Sequence, residues 1–186
     1  MAISASNRHI GIMGGSFNPV HYGHLKVASD AKRRLALDAM CIMPAAQSPL
    51  KTQHSVSAEH RLAMLDLAVN EFPELQLDTR ELEREGPSYT VDSLQELRQE
   101  MGRDATIYFL IGDDLLPTVN QWSRWEALTD YAHLVVANRP GEFLPIPAEV
   151  VAWWHDREMP LAKLSSLPAG CVSRLECSLV DVSASE

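Results

Sequence analysis

The sequence predicts an α/β fold with an open, doubly wound and mainly parallel sheet. Short apolar segments alternate along the chain with longer amphipathic segments, a pattern typical of strands joined by helices. The apolar segments are continuous rather than alternating with polar residues, as expected of parallel strands that are buried on both faces. No repeat, linker or low-complexity tract divides the 186 residues. We therefore expect a single domain over residues 1–186, which is long enough to bury a sizeable core.

Three strands, each followed by a helix, are expected in the first part of the chain. Ser57 is a suitable N-cap for the second helix, and Gly102 is expected to end the third. The charged segment 80–86 ends in Gly86-Pro87, which favours a loop or an edge hairpin. The strands are expected at His9–Met13, Ala39–Met43 and Leu75–Asp78, and the helices at Tyr22–Leu35, Ala58–Asn70 and Val91–Met101.

The second part of the chain continues this alternation with three more strands, expected at Thr106–Ile111, His133–Ala137 and Ser178–Val182. A helical segment interrupted by Pro117 is expected after the first of them, followed by a second segment that opens at 121–125. The stretch from Pro145 to Asp156 is expected to form a short helix.

Composition narrows the classes of function. The net charge of −9 argues against a general nucleic-acid binder, because such proteins carry a basic surface. No apolar stretch is long enough for a membrane span, and the N-terminus lacks a signal region, so a cytoplasmic protein without a membrane partner is expected. Cys41, Cys171 and Cys177 lack zinc-binding spacing. They are expected to be free buried thiols, and a Cys171–Cys177 bridge is the less favoured alternative.

The most informative stretch is Gly-Gly-Ser-Phe-Asn-Pro-Val-His-Tyr-Gly-His at residues 14–24. It links the first strand to the first helix, and its glycines allow the backbone to turn tightly and to approach a ligand. The N–H groups at a helix start, together with the helix dipole, favour an anion. His21 and His24 are three residues apart, so both imidazoles can project from one face toward that anion. The alternative is a glycine turn with two surface histidines.

Two further polar sites follow strand ends. Gly112-Asp113-Asp114 follows the fourth strand, and Arg139 follows the fifth. Because the carboxyl ends of parallel strands meet at one edge of a sheet, we expect both sites to share a rim with the glycine stretch. Ligands of open parallel sheets bind along that rim, where the strand order reverses.

The pattern Gly-x-Phe-x-Pro-x-His-x-Gly-His at residues 15–24 resembles the signature of the nucleotidyltransferase superfamily, whose members move an AMP or CMP group between phosphates. A chance match of six fixed positions has a frequency on the order of 10⁻⁸ per starting residue. Other segments follow the order and spacing of bacterial nicotinate-nucleotide adenylyltransferases, over nearly the whole chain. They are Pro87–Thr90, Ile111–Asp114, Trp122, His133–Val136 and Arg139–Gly141. The resemblance implies a Rossmann-like nucleotidyltransferase fold.

The same resemblance implies direct transfer of AMP from ATP to nicotinate mononucleotide, with pyrophosphate leaving, in NAD biosynthesis. His21 and His24 would be the catalytic residues, and no nucleophilic side chain would be needed. Mg²⁺ would be held mainly through the ATP phosphates, without a dedicated set of metal ligands. The implied ATP-binding residues are Gly14, Gly15, Ser16, Phe17, His21, His24, Gly112, Asp114 and Arg139. The implied substrate-binding residues are Lys51, Tyr89, Thr90 and Trp122.

Some of these residues also have a plainer interpretation. Lys51 lies in a loop that holds phosphate in the family, but a solvated lysine fits equally well. For Arg139, a phosphate-binding role is only slightly favoured over a solvated side chain. For Trp125, ordinary core packing is the preferred interpretation. A homo-oligomer is left open by the sequence.

Two departures from the family pattern are visible. The family has Pro-Pro-His-Lys after the second strand, whereas residues 48–51 are Ser-Pro-Leu-Lys, which is expected to loosen this loop. The family's Ile-Ser-Ser/Ala-Thr-x-x-Arg motif is matched only in its opening, at residues 182–186. We therefore expect a truncated chain that lacks an arginine contact to the triphosphate and the helical tail that follows it. The alternatives are a sister adenylyl- or cytidylyltransferase acting on another phosphorylated substrate, and a catalytically weak nucleotide-binding protein.

Overall fold

The computed structural model describes residues 8–46, 56–138 and 144–177. Its strands are β1 (His9–Gly15), β2 (Ala39–Pro44), β3 (Leu75–Leu77), β4 (Thr106–Gly112), β5 (His133–Ala137) and β6 (Val172–Leu175). They form one sheet in the spatial order β3-β2-β1-β4-β5-β6, and every neighbouring pair is parallel. This order runs outward in both directions from the centre, so the predicted doubly wound α/β class is confirmed.

Helices connect the strands, and several of them begin or end as the sequence predicts. The α-helices are α1 (Tyr22–Arg34), α2 (Ala58–Asn70), α3 (Arg80–Glu83), α4 (Thr90–Met101), α5 (Leu128–Tyr131) and α6 (Ala148–His155), with 3₁₀ turns at Leu116–Gln121, Trp125–Ala127 and Leu161–Ser166. Ser57 caps α2 by accepting a hydrogen bond from the His60 N–H at 3.3 Å. Gly102 ends α4 with a φ of 82°. Among the described residues, no helix has both the length and the apolar character needed to cross a membrane.

Alternate residues of each central strand pack on opposite faces of the sheet. Ile107 and Phe109 of β4 join the cluster formed with α4 and α6, whereas Tyr108 and Leu110 join the cluster formed with α1 and α2. Leu25 and Ala28 of α1 are buried in the second cluster. Because side chains alternate along a strand, continuous apolar strands supply a core to both faces. Cys41, Cys171 and Cys177 are buried in these cores as free thiols, as predicted.

Three segments differ from the prediction. The charged stretch after β3 contains the short helix α3, and its first N–H, that of Arg80, donates to the Asp78 carboxylate at 3.2 Å. This bond satisfies a donor that has no partner within the helix. The predicted interruption at Pro117 is wrong. This proline stands in the first turn of the 3₁₀ helix, where a missing N–H is tolerated. The strand at Val172–Leu175 was not predicted, and the predicted strand at 178–182 lies outside the described residues.

The order of the strands fixes where a ligand can bind. From β1 the chain proceeds to β2 and β3 on one side, and β4, on the other side of β1, continues to β5 and β6. The strand order therefore reverses between β1 and β4, which opens a crevice at their carboxyl ends. The glycine stretch leaves β1 at this edge, and Gly112-Asp113-Asp114 leaves β4 beside it.

Candidate active site

Two glycines, Gly14 and Gly15, stand at the carboxyl end of β1, where the backbone reaches the crevice. Residues 14–24, which end β1 and lead into α1, are called the glycine loop. A Cβ on Gly14 would lie 3.0 Å from a ring carbon of Phe109, and a Cβ on Gly15 would lie 3.1 Å from the ring of Phe17. A side chain at either position would therefore displace an aromatic ring that supports the loop. Glycine keeps the peptide groups of this loop open to a ligand while the rings pack beneath them.

Phe17 holds the glycine loop in place through its buried side chain. Its side chain is 2% exposed, and its backbone adopts a left-handed conformation with a φ of 41°, which few non-glycine residues do. Its ring packs edge-on against His24, with ring centroids 5.1 Å apart and planes inclined by 76°. The Asn18–Pro19 peptide bond that follows is cis. Packing of Phe17 therefore positions both the loop backbone and one of the two histidines.

His21 and His24 lie together at the start of α1. His21 is the N-cap, with extended backbone, and its N–H donates to Nδ1 of His24 at 3.3 Å. The two imidazole rings are 3.8 Å apart between centroids and inclined by 31°. Because Nδ1 of His24 accepts a hydrogen bond, the neutral ring carries its proton on Nε2. His24 can thus donate a hydrogen bond through Nε2 at the positive end of the α1 dipole.

The turn after β4 is tied to the neighbouring strand. The N–H of Asp113 donates to the carbonyl oxygen of Ala137, the last residue of β5, at 3.0 Å. The N–H of Leu116 donates to the Asp113 carbonyl at 3.3 Å. These bonds hold Gly112 and Asp114 at the carboxyl edge, where the sequence analysis expected them. Their contact with adenosine stays a prediction.

Tyr89 and Thr90 reach the same edge at the start of α4. Tyr89 is the N-cap and Thr90 the first residue of this helix, which leads down to the opposite end of β4. The Tyr89 carbonyl accepts hydrogen bonds from the N–H groups of Asp92 and Ser93 at 3.0 and 3.3 Å. The Ser93 hydroxyl in turn donates to the buried carboxylate of Glu81 at 2.7 Å. Burial raises the pKa of Glu81.

Trp122 is half-buried beside the glycine loop. Its ring packs edge-on against Phe109, with centroids 6.3 Å apart, and Phe109 is the ring that closes against Gly14. Phe109 therefore contacts both Gly14 of the glycine loop and Trp122, a predicted substrate-binding residue. Trp125 packs against Trp153 at 5.1 Å and against the core, which is the interpretation that the sequence favoured.

Two of the predicted site residues cannot be placed, and the described residues do not form a cluster suited to a metal ion. Lys51 and Arg139 lie outside the described residues. Across residues 8–46, 56–138 and 144–177, no group of three or more His, Cys, Asp or Glu side chains is arranged to hold a metal ion.

Arg61 of α2 was missed by the sequence analysis. Its guanidinium donates to the carbonyl oxygen of Ser16 in the glycine loop at 2.7 Å. One signal was available: Arg61 stands four residues before the buried Leu65 and so lies on the core-facing side of the helix.

A glycine loop and paired imidazoles at the reversal point of a parallel sheet define a nucleotidyltransferase-type site. A family model described as cytidylyltransferase-like matches residues 12–167. A Cellvibrio japonicus protein named "Probable nicotinate-nucleotide adenylyltransferase" is 38% identical over 177 residues, which cover 95% of this chain and 84% of that protein. A Klebsiella pneumoniae protein of the same name is 39% identical over 93% of this chain and 81% of its own length. This chain belongs to the nicotinate-nucleotide adenylyltransferase family.

Solved structures share the fold. A Plasmodium falciparum nicotinic acid mononucleotide adenylyltransferase, solved with NaAD, superposes with a TM-score of 0.67 at 20% identity, over 90% of this chain and 74% of that one. A Vibrio parahaemolyticus structure described as a putative nicotinate-nucleotide adenylyltransferase gives a TM-score of 0.56 at 19% identity, over 69% of this chain and 72% of that one. These neighbours confirm the Rossmann-like nucleotidyltransferase fold.

Proposed function

We propose that this chain transfers the AMP group of ATP to nicotinate mononucleotide, giving nicotinate adenine dinucleotide and pyrophosphate. The observation that carries the proposal is the pair of imidazoles, 3.8 Å apart between ring centroids, beside the bare glycine loop. Family membership supports the choice of substrates, since the curated relatives are named for this activity. The Plasmodium falciparum structures with NaAD and with APC agree with it.

The reaction is a direct in-line displacement, in which the phosphate of the mononucleotide attacks the α-phosphorus of ATP and pyrophosphate leaves. Such a transfer depends on alignment and on stabilisation of charge rather than on a nucleophilic side chain. His24 donates from Nε2 to a phosphate oxygen as charge develops on the leaving group. His21 lies against it on the same side of the loop. Loop N–H groups, including those of Ser16 and Phe17, supply further donors.

The two substrates occupy opposite sides of the crevice. Gly112 and Asp114 line the adenosine side, and Arg139 contributes positive charge near the phosphates. On the other side, Tyr89, Thr90 and Trp122 form the nicotinate pocket. The aromatic face of Trp122 stacks on the pyridinium ring, a cation–π contact worth about 0.5–2 kcal/mol. Thr90 donates to the nicotinate carboxylate, and Lys51 contacts phosphate.

Magnesium fits this site as a partner of the nucleotide. The donors gathered at the loop are N–H groups and imidazoles, which suit phosphate oxygens rather than a hard cation. When bound together with the nucleotide, Mg²⁺ would supply positive charge that offsets part of the negative charge of the phosphates. The residues that hold the triphosphate thus hold the metal indirectly.

A two-substrate assay tests the proposal. The protein is supplied with ATP, Mg²⁺ and either nicotinate or nicotinamide mononucleotide, and released pyrophosphate is followed. We expect turnover with the nicotinate form and much weaker turnover with the amide. Tight binding of ATP without turnover would instead favour a nucleotide-binding protein. Turnover with pantetheine phosphate or glycerol phosphate, and none with nicotinate mononucleotide, would favour a sister transferase.

A further inference from the structure

Arg61 links the two loops that leave β1 and β2. Its side chain is 1% exposed. Nη1 donates to the carbonyl oxygens of Ser16 and Ala45, both at 2.7 Å, and Nη2 donates to the Ala46 carbonyl at 3.2 Å. A planar guanidinium is suited to hold several acceptors at fixed angles. One side chain therefore fixes the glycine loop relative to the segment after β2.

A second bond holds the loop from the same direction. The N–H of Ala45 donates to the Gly15 carbonyl at 2.9 Å. Two consecutive carbonyls, those of Gly15 and Ser16, are thus bonded to Ala45 and to its partner Arg61. In a planar trans peptide the C=O and the next N–H point in opposite directions. The Ser16 N–H therefore points away from Ala45, and the Phe17 N–H points away from Arg61.

We propose that Arg61 is a positioning residue, which holds the N–H groups of Ser16 and Phe17 in place before a nucleotide arrives. This inference rests on the proposed function, because these N–H groups are the loop donors for the triphosphate. Donors that are fixed in advance need no rearrangement as charge develops. A displacement of about 1 Å at such a group can cost about 10²-fold in rate.

Arg98 provides a matched control on the opposite edge of the sheet. Its guanidinium also donates to backbone carbonyls, from Nη2 to Tyr131 at 2.7 Å and from Nη1 to Ala105 at 2.5 Å. These carbonyls precede β5 and β4. Arg98 therefore binds the backbone at the amino ends of the strands, at the opposite edge of the sheet from the glycine loop. Burial lowers the pKa of both guanidinium groups. Both arginines thus bind backbone carbonyls, but Arg61 is buried and Arg98 is partly buried, and they lie at opposite edges of the sheet.

The test compares Arg61→Lys with Arg98→Lys. Lysine keeps the charge but lacks the fork that reaches several carbonyls, so both variants are expected to melt at a lower temperature. Arg61→Lys is expected to lower kcat/KM for ATP by about 30- to 100-fold and to leave KM for the mononucleotide nearly unchanged. Arg98→Lys is expected to keep both within about two-fold. Equal kinetic losses in the two variants, or wild-type kinetics in a folded Arg61→Lys, would overturn the proposal.

Amide hydrogen exchange of the wild-type protein without nucleotide gives an independent measurement. The proposal requires the Ala45 N–H to be protected like the amides of β1, because its acceptor, the Gly15 carbonyl at the end of β1, directly precedes Ser16, whose carbonyl Arg61 holds. An unprotected Ala45 would overturn the proposal even if Arg61→Lys failed to fold. The proposed function fails separately, if the wild-type protein gives no turnover with nicotinate mononucleotide. Protection at Ala45 in such a protein would still show a preformed loop.

Discussion

At the scale of single residues, His24 is the proposed catalytic side chain whose orientation the structure defines most fully. Its Nδ1 accepts a hydrogen bond from the His21 N–H at 3.3 Å, and Phe17 packs against its ring. Orientation and tautomer are therefore both set by contacts within the loop. A donor held in this way stabilises charge without moving.

Replacing His24 by alanine is expected to lower kcat by at least about 10²-fold, as removal of one preorganised donor commonly does. The variant should keep its fold, which far-ultraviolet circular dichroism and the melting temperature will show. His155→Ala removes an exposed histidine at the end of α6 and should leave kcat unchanged. Near-normal turnover in His24→Ala would contradict the role given to this imidazole.

Replacing Trp122 by alanine is expected to act on the second substrate. Loss of a cation–π contact of about 0.5–2 kcal/mol corresponds to a rise of about 2- to 30-fold in KM for the mononucleotide. Trp125→Ala is the control, because Trp125 packs on Trp153 and should change stability rather than KM. Steady-state kinetics with each substrate varied in turn make the comparison. If Trp122→Ala changed only the KM for ATP, this ring would lie on the ATP side of the crevice, and the role proposed for it would be wrong.

At the scale of elements, the strands and the main helices follow from local sequence. Five of the six strands were predicted. All of them except β3, which contains Gln76, follow from mainly apolar runs, since a parallel strand buried on both faces needs no alternation. The sixth strand, Val172–Leu175, has Ser173 and the exposed Arg174 in its middle. That composition is possible because β6 is an edge strand. No local pattern distinguishes such a strand from a loop.

The end of α4 offers a prediction about backbone rather than packing. Gly102 has φ 82° and ψ 177°, a conformation that is almost restricted to glycine, and a Cβ there would meet nothing within 4 Å. Gly102→Ala is therefore expected to lower the free energy of unfolding by about 1–3 kcal/mol, measured by urea denaturation. Arg103→Ala, on the exposed neighbour, should change it by less than about 0.5 kcal/mol. A neutral Gly102→Ala would show that the helix end relaxes freely.

The burial of Arg61 could not be predicted from the sequence. The apolar stripe of α2 includes Leu65, which is buried, and an arginine one turn earlier on the same face looks like a solvated charge. Its partners are backbone carbonyls of Ser16, Ala45 and Ala46, and carbonyls leave no trace in a sequence pattern. Only the folded arrangement of the β1 and β2 loops reveals why this cation is buried.

At the scale of the whole molecule, the rim could be anticipated because parallel strands end on one edge. The sequence predicted that Gly14–Phe17 and Gly112–Asp114 would share that edge, and β1 and β4 are indeed neighbours. The ring of Phe109 between Gly14 and Trp122 could not be anticipated, because it depends on the register of β1 against β4. Register is set by packing across the sheet rather than by local pattern.

Stability is expected to fall as the pH drops below about 6.5, because of His133. This ring is fully buried, and its Nδ1 accepts from the Cys171 N–H at 3.2 Å, so Nε2 donates to the Leu167 carbonyl at 2.9 Å. Burial lowers the pKa of His133 from its ordinary value of 6.5, and nearby Arg98 adds to this. The unfolded chain therefore binds the proton first, and the free energy of unfolding decreases as the pH falls.

Denaturant melts of the wild type and of His133→Gln between pH 5 and pH 7.5 measure this effect. The variant should be less stable at pH 7.5 and should show a flatter pH dependence below 6.5. Glu81 acts in the opposite sense, because burial raises its pKa from 4.5. The contribution of Glu81 to the free energy of unfolding falls as the pH rises from 4.5. Because both proteins contain Glu81, the difference between their free energies of unfolding isolates the effect of His133. Parallel curves would contradict the assignment.

The central claim is that the triphosphate of ATP docks on the loop between β1 and α1, against the two imidazoles. A crystal structure of the protein with a non-hydrolysable ATP analogue and Mg²⁺ tests it most directly. The account predicts phosphate oxygens within hydrogen-bonding distance, about 2.7–3.2 Å, of His24 Nε2 and of the Ser16 and Phe17 N–H groups. An analogue bound elsewhere, or bound in the crevice with its phosphates away from this loop, would contradict the claim.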